Sequence, residues 1–214
     1  MADSAKKPPA PAFLFDGPKT AKLTLILAHG AGAPMDSPFM ETIAKGLAKA
    51  GIRVARFEFP YMAERRKSGK KRPPDSLNTL LATFSAVAAA MNGKPFAIGG
   101  KSMGGRIASM VADDVGAAAL VCLGYPFHPP GKPNAARTQH LAALKTPTLI
   151  LQGTRDPFGG RDEVKNLKLS KKIKVHFLED GEHSFKPRKA SGLTEEQNLA
   201  EAVSVAEKFL QSVG

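Results

Sequence analysis

The 214-residue chain is 43% hydrophobic, with 12 Phe, 2 Tyr and no Trp, enough apolar material for one core. Its single cysteine, Cys122, excludes an intramolecular disulfide, and no apolar run approaches the roughly 20 residues that a bilayer span needs. A formal net charge of +12 at pH 7 brings acidic partners into consideration, although a solvated basic surface gives the same balance.

Residues 1–11, rich in Pro, Ala and Lys, lack the apolar stretch of a secretory signal and predict a flexible lead-in. A single domain is expected over 12–214, in a cytoplasmic protein without membrane contact. Leu23–Ala28 predicts a buried strand. Asp36-Ser37-Pro38 then supplies a cap and an early helical proline for a helix through Leu47, closed by Gly51. Ile52–Phe57 is a second strand. Tyr61–Pro74 predicts a basic loop in which Arg65, Arg66, Lys67, Lys70, Lys71 and Arg72 face one acid, Glu64. Asp75 is placed to cap a long helix, Leu77–Met91. The strand Pro95–Gly99 leads through Gly100-Lys101-Ser102-Met103-Gly104 into a helix over Arg106–Ala112. Further strands follow at Ala118–Leu123, Thr148–Leu151 and Ile173–Leu178. A short helical stretch, Arg137–Leu144, precedes the second of these. Thr194-Glu195-Glu196-Gln197 is a capping box for the C-terminal helix. Repeated β-α units with short loops predict a three-layer α/β/α sandwich around a mostly parallel sheet of about six or seven strands.

The chemistry concentrates on three strand ends. A serine hydroxyl becomes a useful nucleophile when a sharp strand-to-helix turn exposes it beside a base, and such a turn needs small residues two positions either side. Gly100 and Gly104 flank Ser102 in that pattern. Asp156 follows the strand ending at Leu151, and His183 lies in the loop after the strand ending at Leu178. In a parallel sheet these ends share one edge, so a nucleophile, an acid and a histidine converge there. The competing assignments are plainer. Ser102 could be only an N-cap and Asp156 only a turn residue before Pro157. Asp162 is a substitute acid placed inside the next helix. His176 lies within a strand and His140 in the short helical stretch. No His, Cys or Asp cluster has metal-ligand spacing and no phosphate-binding glycine loop occurs, so no metal or cofactor is expected.

Order, spacing and context resemble the α/β-hydrolase superfamily over nearly the whole chain from about residue 12. The residues carrying the resemblance are Gly100–Gly104, the Gly153-Thr154-Arg155-Asp156 turn, Gly181-Glu182-His183-Ser184-Phe185 and His29-Gly30-Ala31-Gly32. The small size resembles the dienelactone-hydrolase-like branch. The string Gly99–Arg106, with Tyr125-Pro126-Phe127-His128-Pro129 downstream, is similar to a group containing a vertebrate testis-expressed protein and a regulatory subunit of a histone-acetyltransferase complex. The resemblance implies a Ser102–His183–Asp156 triad. It also implies an oxyanion hole built from Met103 N–H and an N–H of the loop after His29, with Ala31 first choice and Gly32 second.

The connection from Tyr125 to Thr146 is too short for a large cap, which predicts an open site for small or extended substrates. Arg65 and Arg66, with Arg155 and Lys186, gather at the expected mouth. Lys101 lies beside Ser102, and His29 and His128 are candidates for shaping or lining the pocket. An anionic small-molecule ester is therefore one expected substrate. No dedicated nucleic-acid module occurs, although the net charge of +12 leaves nucleic acid open as a partner. A catalytically weak or inactive scaffold that keeps the fold and binds an acidic protein or nucleic acid is the alternative. The expected assembly is a monomer or small homo-oligomer.

Overall fold

The computed structural model describes residues 12–91, 95–132 and 137–213; the expected lead-in over 1–11 lies outside them. Seven strands form one sheet: β1 (Phe13–Asp16), β2 (Thr24–Ala28), β3 (Arg53–Phe57), β4 (Phe96–Lys101), β5 (Leu120–Leu123), β6 (Thr148–Gly153) and β7 (Ile173–Leu178). Their spatial order is β1-β3-β2-β4-β5-β6-β7. All neighbours run parallel except β1, which pairs antiparallel with β3 and sets Phe13 opposite Phe57. Among the described residues six α-helices accompany the sheet: α1 (Pro38–Lys49), α2 (Pro60–Ser68), α3 (Leu77–Ala89), α4 (Met103–Val111), α5 (Arg161–Lys165) and α6 (Glu195–Gln211).

Side-chain alternation along the strands divides the core in two. Leu25 and Leu27 of β2 join Val121 and Leu123 of β5 in an apolar layer with α1 and α6. Ile26, Ala28 and Cys122 point the other way, into a layer with α3 and α4. A parallel sheet covered on both faces needs strands that are apolar at every position, and β2, β5 and β6 are buried throughout. The three-layer sandwich is therefore present as expected.

Four local features differ from the sequence expectation. β1 is an added edge strand, short and half exposed, with Phe15 48% accessible. The basic segment after β3 opens as a helix, α2. Pro60 starts it, Tyr61 and Met62 anchor it in the core, and Gly69 ends it in the left-handed conformation. The cap of α3 is Ser76, whose side chain accepts from Thr79 N, while Asp75 accepts the Tyr61 N–H at 2.9 Å and ties α2 to the start of α3. The helical stretch before β6 is a single 3-10 turn, Gln139–Ala142. Among the described residues between β5 and β6 that turn is the sole helical element, so no cap is built there. No helix among the described residues is long and apolar enough to cross a membrane.

Candidate active site

Strand order creates the crevice. After β2 the chain adds β3 on one side, then crosses back to add β4 on the other. At such a reversal the two loops depart toward opposite faces and leave an opening at the C-terminal ends of the strands. His29-Gly30-Ala31 leaves β2 there, and Ser102 leaves β4.

Ser102 sits at φ 50° and ψ −115°, a conformation that costs a non-glycine residue about 1–3 kcal/mol and is held by its surroundings. The glycines around it are required by close approach. A Cβ on Gly100 would lie 2.5 Å from Gly104 C, one on Gly104 2.5 Å from His29 O, and one on Gly105 2.6 Å from Gly100 O. Strand β4 and helix α4 touch because Gly100 and Gly105 lack side chains, and α4 meets the end of β2 because Gly104 does. Ser102 N donates to Leu123 O at 3.0 Å, which fixes the turn to β5.

Three side chains from different elements then form a continuous row. Ser102 Oγ lies 2.8 Å from His183 Nε2, and His183 Nδ1 lies 2.8 Å from Asp156 Oδ2. Because the carboxylate accepts from Nδ1–H, Nε2 is left as the acceptor facing the serine hydroxyl. This arrangement lets the imidazole take a proton from Ser102 while Asp156 stabilises the resulting cation. Asp156 is 2% accessible, so its charge acts in a water-poor environment. It is also well held: Gln152 Nε2 donates to Oδ2 at 2.9 Å and Phe158 N to Oδ1 at 2.8 Å. The Phe158 ring stacks against the His183 ring, with centroids 4.3 Å apart. Glu182 Oε1 accepts Ser184 N at 2.7 Å and shapes the histidine loop.

A cavity of about 320 Å³ opens over Ser102 and His183. Its wall carries the loop Gly30–Ala33 together with Phe39, Met40 and Phe158. Ala31 and Gly32 thus lie at the site. Met103 begins α4 directly after Ser102, where first-turn N–H groups have no intrahelical partner and the helix dipole favours negative charge. Lys101 also lines this cavity, but its ammonium is turned away from solvent and donates to His183 O at 2.7 Å. Burial lowers its pKa to about 8, opposed by the nearby Asp156 and Glu182 charges. A larger groove, about 750 Å³, lies between α1 and α6 and includes none of Ser102, His183 or Asp156.

The expected basic rim is mostly absent from the site. Arg66 forms ion pairs with Glu58 and Asp36, at 2.6 and 2.8 Å. Arg155 pairs with Asp180, which also binds Arg188. Arg65 donates to Gly32 O. Lys186 lies 3.8 Å from Glu195. Carboxylates thus pair Arg66, Arg155 and Lys186, while Arg65 is bound to the backbone of the cavity loop, and none of the four lines the cavity. His128 is likewise outside the cavity wall, with Nε2 on Glu163 and Nδ1 on Pro129 O, both at 2.8 Å.

Another serine–histidine contact exists. Ser109 Oγ is 2.8 Å from His140 Nε2, but Ser109 is 2% accessible within α4 and donates to Arg106 O. Among the described residues no carboxylate reaches His140, and burial lowers its pKa. This contact ties α4 to the 3-10 turn. Asp162 lies in α5 and makes no contact with His183. No group of three or more His, Cys, Asp or Glu among the described residues could hold a metal ion.

A family model for the alpha/beta hydrolase domain matches residues 21–211. The chain belongs to the alpha/beta hydrolase family. Solved hydrolase structures share its architecture. A dienelactone hydrolase from Anabaena variabilis is 18% identical, with 95% of this chain and 99% of that one covered and a TM-score of 0.71. A serine hydrolase without a lid from Xanthomonas campestris is 18% identical over 96% of each chain, with a TM-score of 0.70. Est1E from Butyrivibrio proteoclasticus, solved with ferulic acid bound, is 15% identical over 95% of each, with a TM-score of 0.70. At these identities the likeness carries the fold and not the substrate.

Gln152, Phe158, Phe39 and Tyr61 were not singled out from the sequence as pocket or supporting residues. Gln152 had a signal. It is a polar residue continuing the apolar run Thr148–Leu151, and full burial makes it find partners.

Proposed function

We propose that this alpha/beta hydrolase is a serine hydrolase acting on esters, thioesters or lactones with a short acyl group. The supporting observation is the row Asp156–His183–Ser102, each link 2.8 Å, ending at a serine held in a strained turn. Ser102 Oγ bonds to the acyl carbon as its proton passes to His183 Nε2. The same proton then goes to the departing alkoxide or thiolate. Water, deprotonated by His183, attacks the acyl-serine, and Ser102 recovers its proton as the acid leaves. Asp156 holds the reactive tautomer throughout. Met103 N–H and Ala31 N–H, with Gly32 N–H as the other loop donor, receive the oxyanion.

The cavity supports a small, uncharged acyl group. Phe39, Met40, Ala33 and Phe158 provide apolar wall, and its one cation, Lys101, is already bound to His183 O. The narrower likeness to the group with the testis-expressed protein and the acetyltransferase subunit belongs to this proposal, resting on Gly99–Arg106 and Tyr125–Pro129. It also carries the alternative, a scaffold for an acidic partner. Lys67, Lys70, Lys71 and Arg72 favour it, because these exposed cations have no ion pair among the described residues.

The deciding experiment is intact mass after treatment with a fluorophosphonate probe. The hydrolase reading expects one adduct on the wild type and none on Ser102→Ala. An unmodified wild type that also hydrolyses no short p-nitrophenyl ester would leave the scaffold.

A further inference from the structure

The loop after β2 has its carbonyl groups taken up in succession by donors from behind the cavity. His29 is fully buried. Its Nε2 accepts the Phe59 N–H at 3.1 Å, so the ring proton is on Nδ1, which donates to Gly30 O at 2.7 Å. Burial lowers the pKa of His29 and keeps the ring neutral. Tyr61 Oη donates to Ala31 O at 2.9 Å, and Arg65 Nη1 to Gly32 O at 3.1 Å. Both residues belong to α2.

None of these three side chains lines the cavity, whereas Gly30, Ala31, Gly32 and Ala33 all do. No peptide bond here is cis. In a trans peptide the N–H points opposite to the C=O of the same unit. His29, with Tyr61 Oη 3.5 Å from the same carbonyl, therefore sets the direction of the Ala31 N–H, Tyr61 that of the Gly32 N–H, and Arg65 that of the adjoining Ala33 N–H.

Among the described residues these three carbonyls accept hydrogen bonds from His29, Tyr61 and Arg65 alone. Gly30 and Gly32 have ordinary negative φ. A Cβ on Gly32 would meet nothing within 4 Å, and one on Gly30 nothing closer than 3.4 Å. These glycines are not demanded by packing, in contrast to Gly100, Gly104 and Gly105. They leave the planes easier to rotate, and the carbonyl bonds oppose that rotation. Tyr61 is itself rigid: its ring is 1% accessible and its N–H is bound to Asp75. Burial pushes its hydroxyl pKa above the ordinary range, so it remains a donor at any working pH.

We propose that Tyr61 and Arg65 are positioning residues, and that α2 acts as a latch: Tyr61 sets the direction of the Gly32 N–H that receives the oxyanion, and Arg65 holds the adjoining peptide plane that supports it. The proposal rests on the hydrolase reading. It also gives part of the basic segment a role unrelated to attracting substrate, because Arg65 is spent on a backbone carbonyl at the site.

The test compares Tyr61→Phe and Arg65→Met with the wild type, with Arg65→Lys as the conservative variant. Three quantities are read: kcat and KM for p-nitrophenyl acetate, inhibition by a trifluoromethyl ketone, and Tm. The ketone reports the oxyanion directly. Ser102 Oγ adds to its carbonyl carbon, the serine proton moves to His183, and the carbonyl electron pair becomes the oxyanion. Losing a complete oxyanion donor costs about 10²–10³ in turnover. Releasing one plane is expected to lower kcat about ten-fold, with KM within about two-fold and ketone affinity falling in parallel. Arg65→Lys should recover most of the loss. Wild-type values of kcat and ketone affinity in both Tyr61→Phe and Arg65→Met would overturn the latch alone. A change confined to Tm would do the same. If Tyr61→Phe fails to fold, Arg65→Met decides by the same criteria, because Arg65 lies at the surface of α2. A wild type that takes neither ketone nor fluorophosphonate overturns the hydrolase reading, and the latch with it.

Discussion

Asp156→Asn is the sharpest perturbation of the proposed chemistry, because Asp156 accepts three N–H groups. His183 Nδ1 and Gln152 Nε2 converge on Oδ2, and Phe158 N reaches Oδ1, all within 2.8–2.9 Å. A carboxylate satisfies all three; an amide has one acceptor oxygen. If that oxygen stays at Oδ2, the new NH₂ meets Phe158 N–H. If it moves to Oδ1, the NH₂ faces Gln152 and donates to His183 Nδ1. The imidazole proton is then driven to Nε2, where it opposes the Ser102 hydroxyl and cannot accept its proton. Either orientation places donor against donor in a buried site, a cost of about 1–3 kcal/mol. The second also removes the reactive tautomer, and in serine proteases the matching exchange lowers kcat about 10⁴-fold. The expected loss in kcat/KM here is about 10³–10⁴, measured with p-nitrophenyl acetate across neutral pH. Far-ultraviolet circular dichroism confirms folding. Asp162→Asn on α5 is the control and should keep activity within about two-fold. A loss under ten-fold for Asp156→Asn, or a comparable loss for Asp162→Asn, would refute the assignment of the acid.

Gly104→Ala should destabilise the fold by at least about 1–3 kcal/mol in urea denaturation, because its Cβ would lie 2.5 Å from His29 O and 2.7 Å from Ala28 O. Gly32→Ala, whose Cβ meets nothing, should stay within about 0.5 kcal/mol; equal effects would contradict the close-packed turn. Lys101 titrates near pH 8 when folded and near 10.5 when unfolded, so the unfolded chain holds the extra proton between those values. The stability of wild type relative to Lys101→Met should therefore rise with pH across that window, by up to about 3 kcal/mol; a flat difference would mean the ammonium is not desolvated. For an anionic short ester, kcat/KM should change less than about two-fold from low to high salt, since Arg65, Arg66, Arg155 and Lys186 are paired or bound to backbone. A steep fall would restore electrostatic steering.

The sequence made the parallel core and the convergence of Ser102, Asp156 and His183 legible for the same reason. Apolar runs mark where parallel strands lie, and parallel strands put their ends on one edge. Features needing a partner from elsewhere were illegible. Phe13–Asp16 is too short and exposed to announce a strand, and it becomes one by pairing with β3. Helix α2 carried start and stop signals in Pro60 and Gly69, but the charged run Glu64–Lys67 gives it no apolar stripe beyond Tyr61 and Met62. The pairing of the basic residues was illegible because charge sums ignore partners: Asp36 lies 30 residues from the Arg66 it binds. Asp180, eight residues before Arg188, takes both that side chain and Arg155.

Within β4 and its turn, nearly every position is fixed by a contact that another side chain would break. Gly99 faces Val121 O across to β5, Gly100 faces the start of α4, and Gly104 faces the end of β2. Between them, two consecutive side chains reach the same residue from different directions. Lys101 holds the His183 carbonyl at 2.7 Å, and Ser102 meets its ring Nε2 at 2.8 Å. The histidine loop is thus tied to β4 by backbone and by side chain. Beside that anchor, Gly124 approaches His183 so closely that a Cβ would lie 2.7 Å from its carbonyl and 2.9 Å from the Lys101 ammonium. A shift of the serine turn would carry the Lys101 anchor with it, and the histidine with the anchor. The Ser102–His183 distance is therefore protected against small movements of β4 in a way that a freely hinged histidine loop would not be. Burying a lysine is costly; here its return is a base that follows its nucleophile.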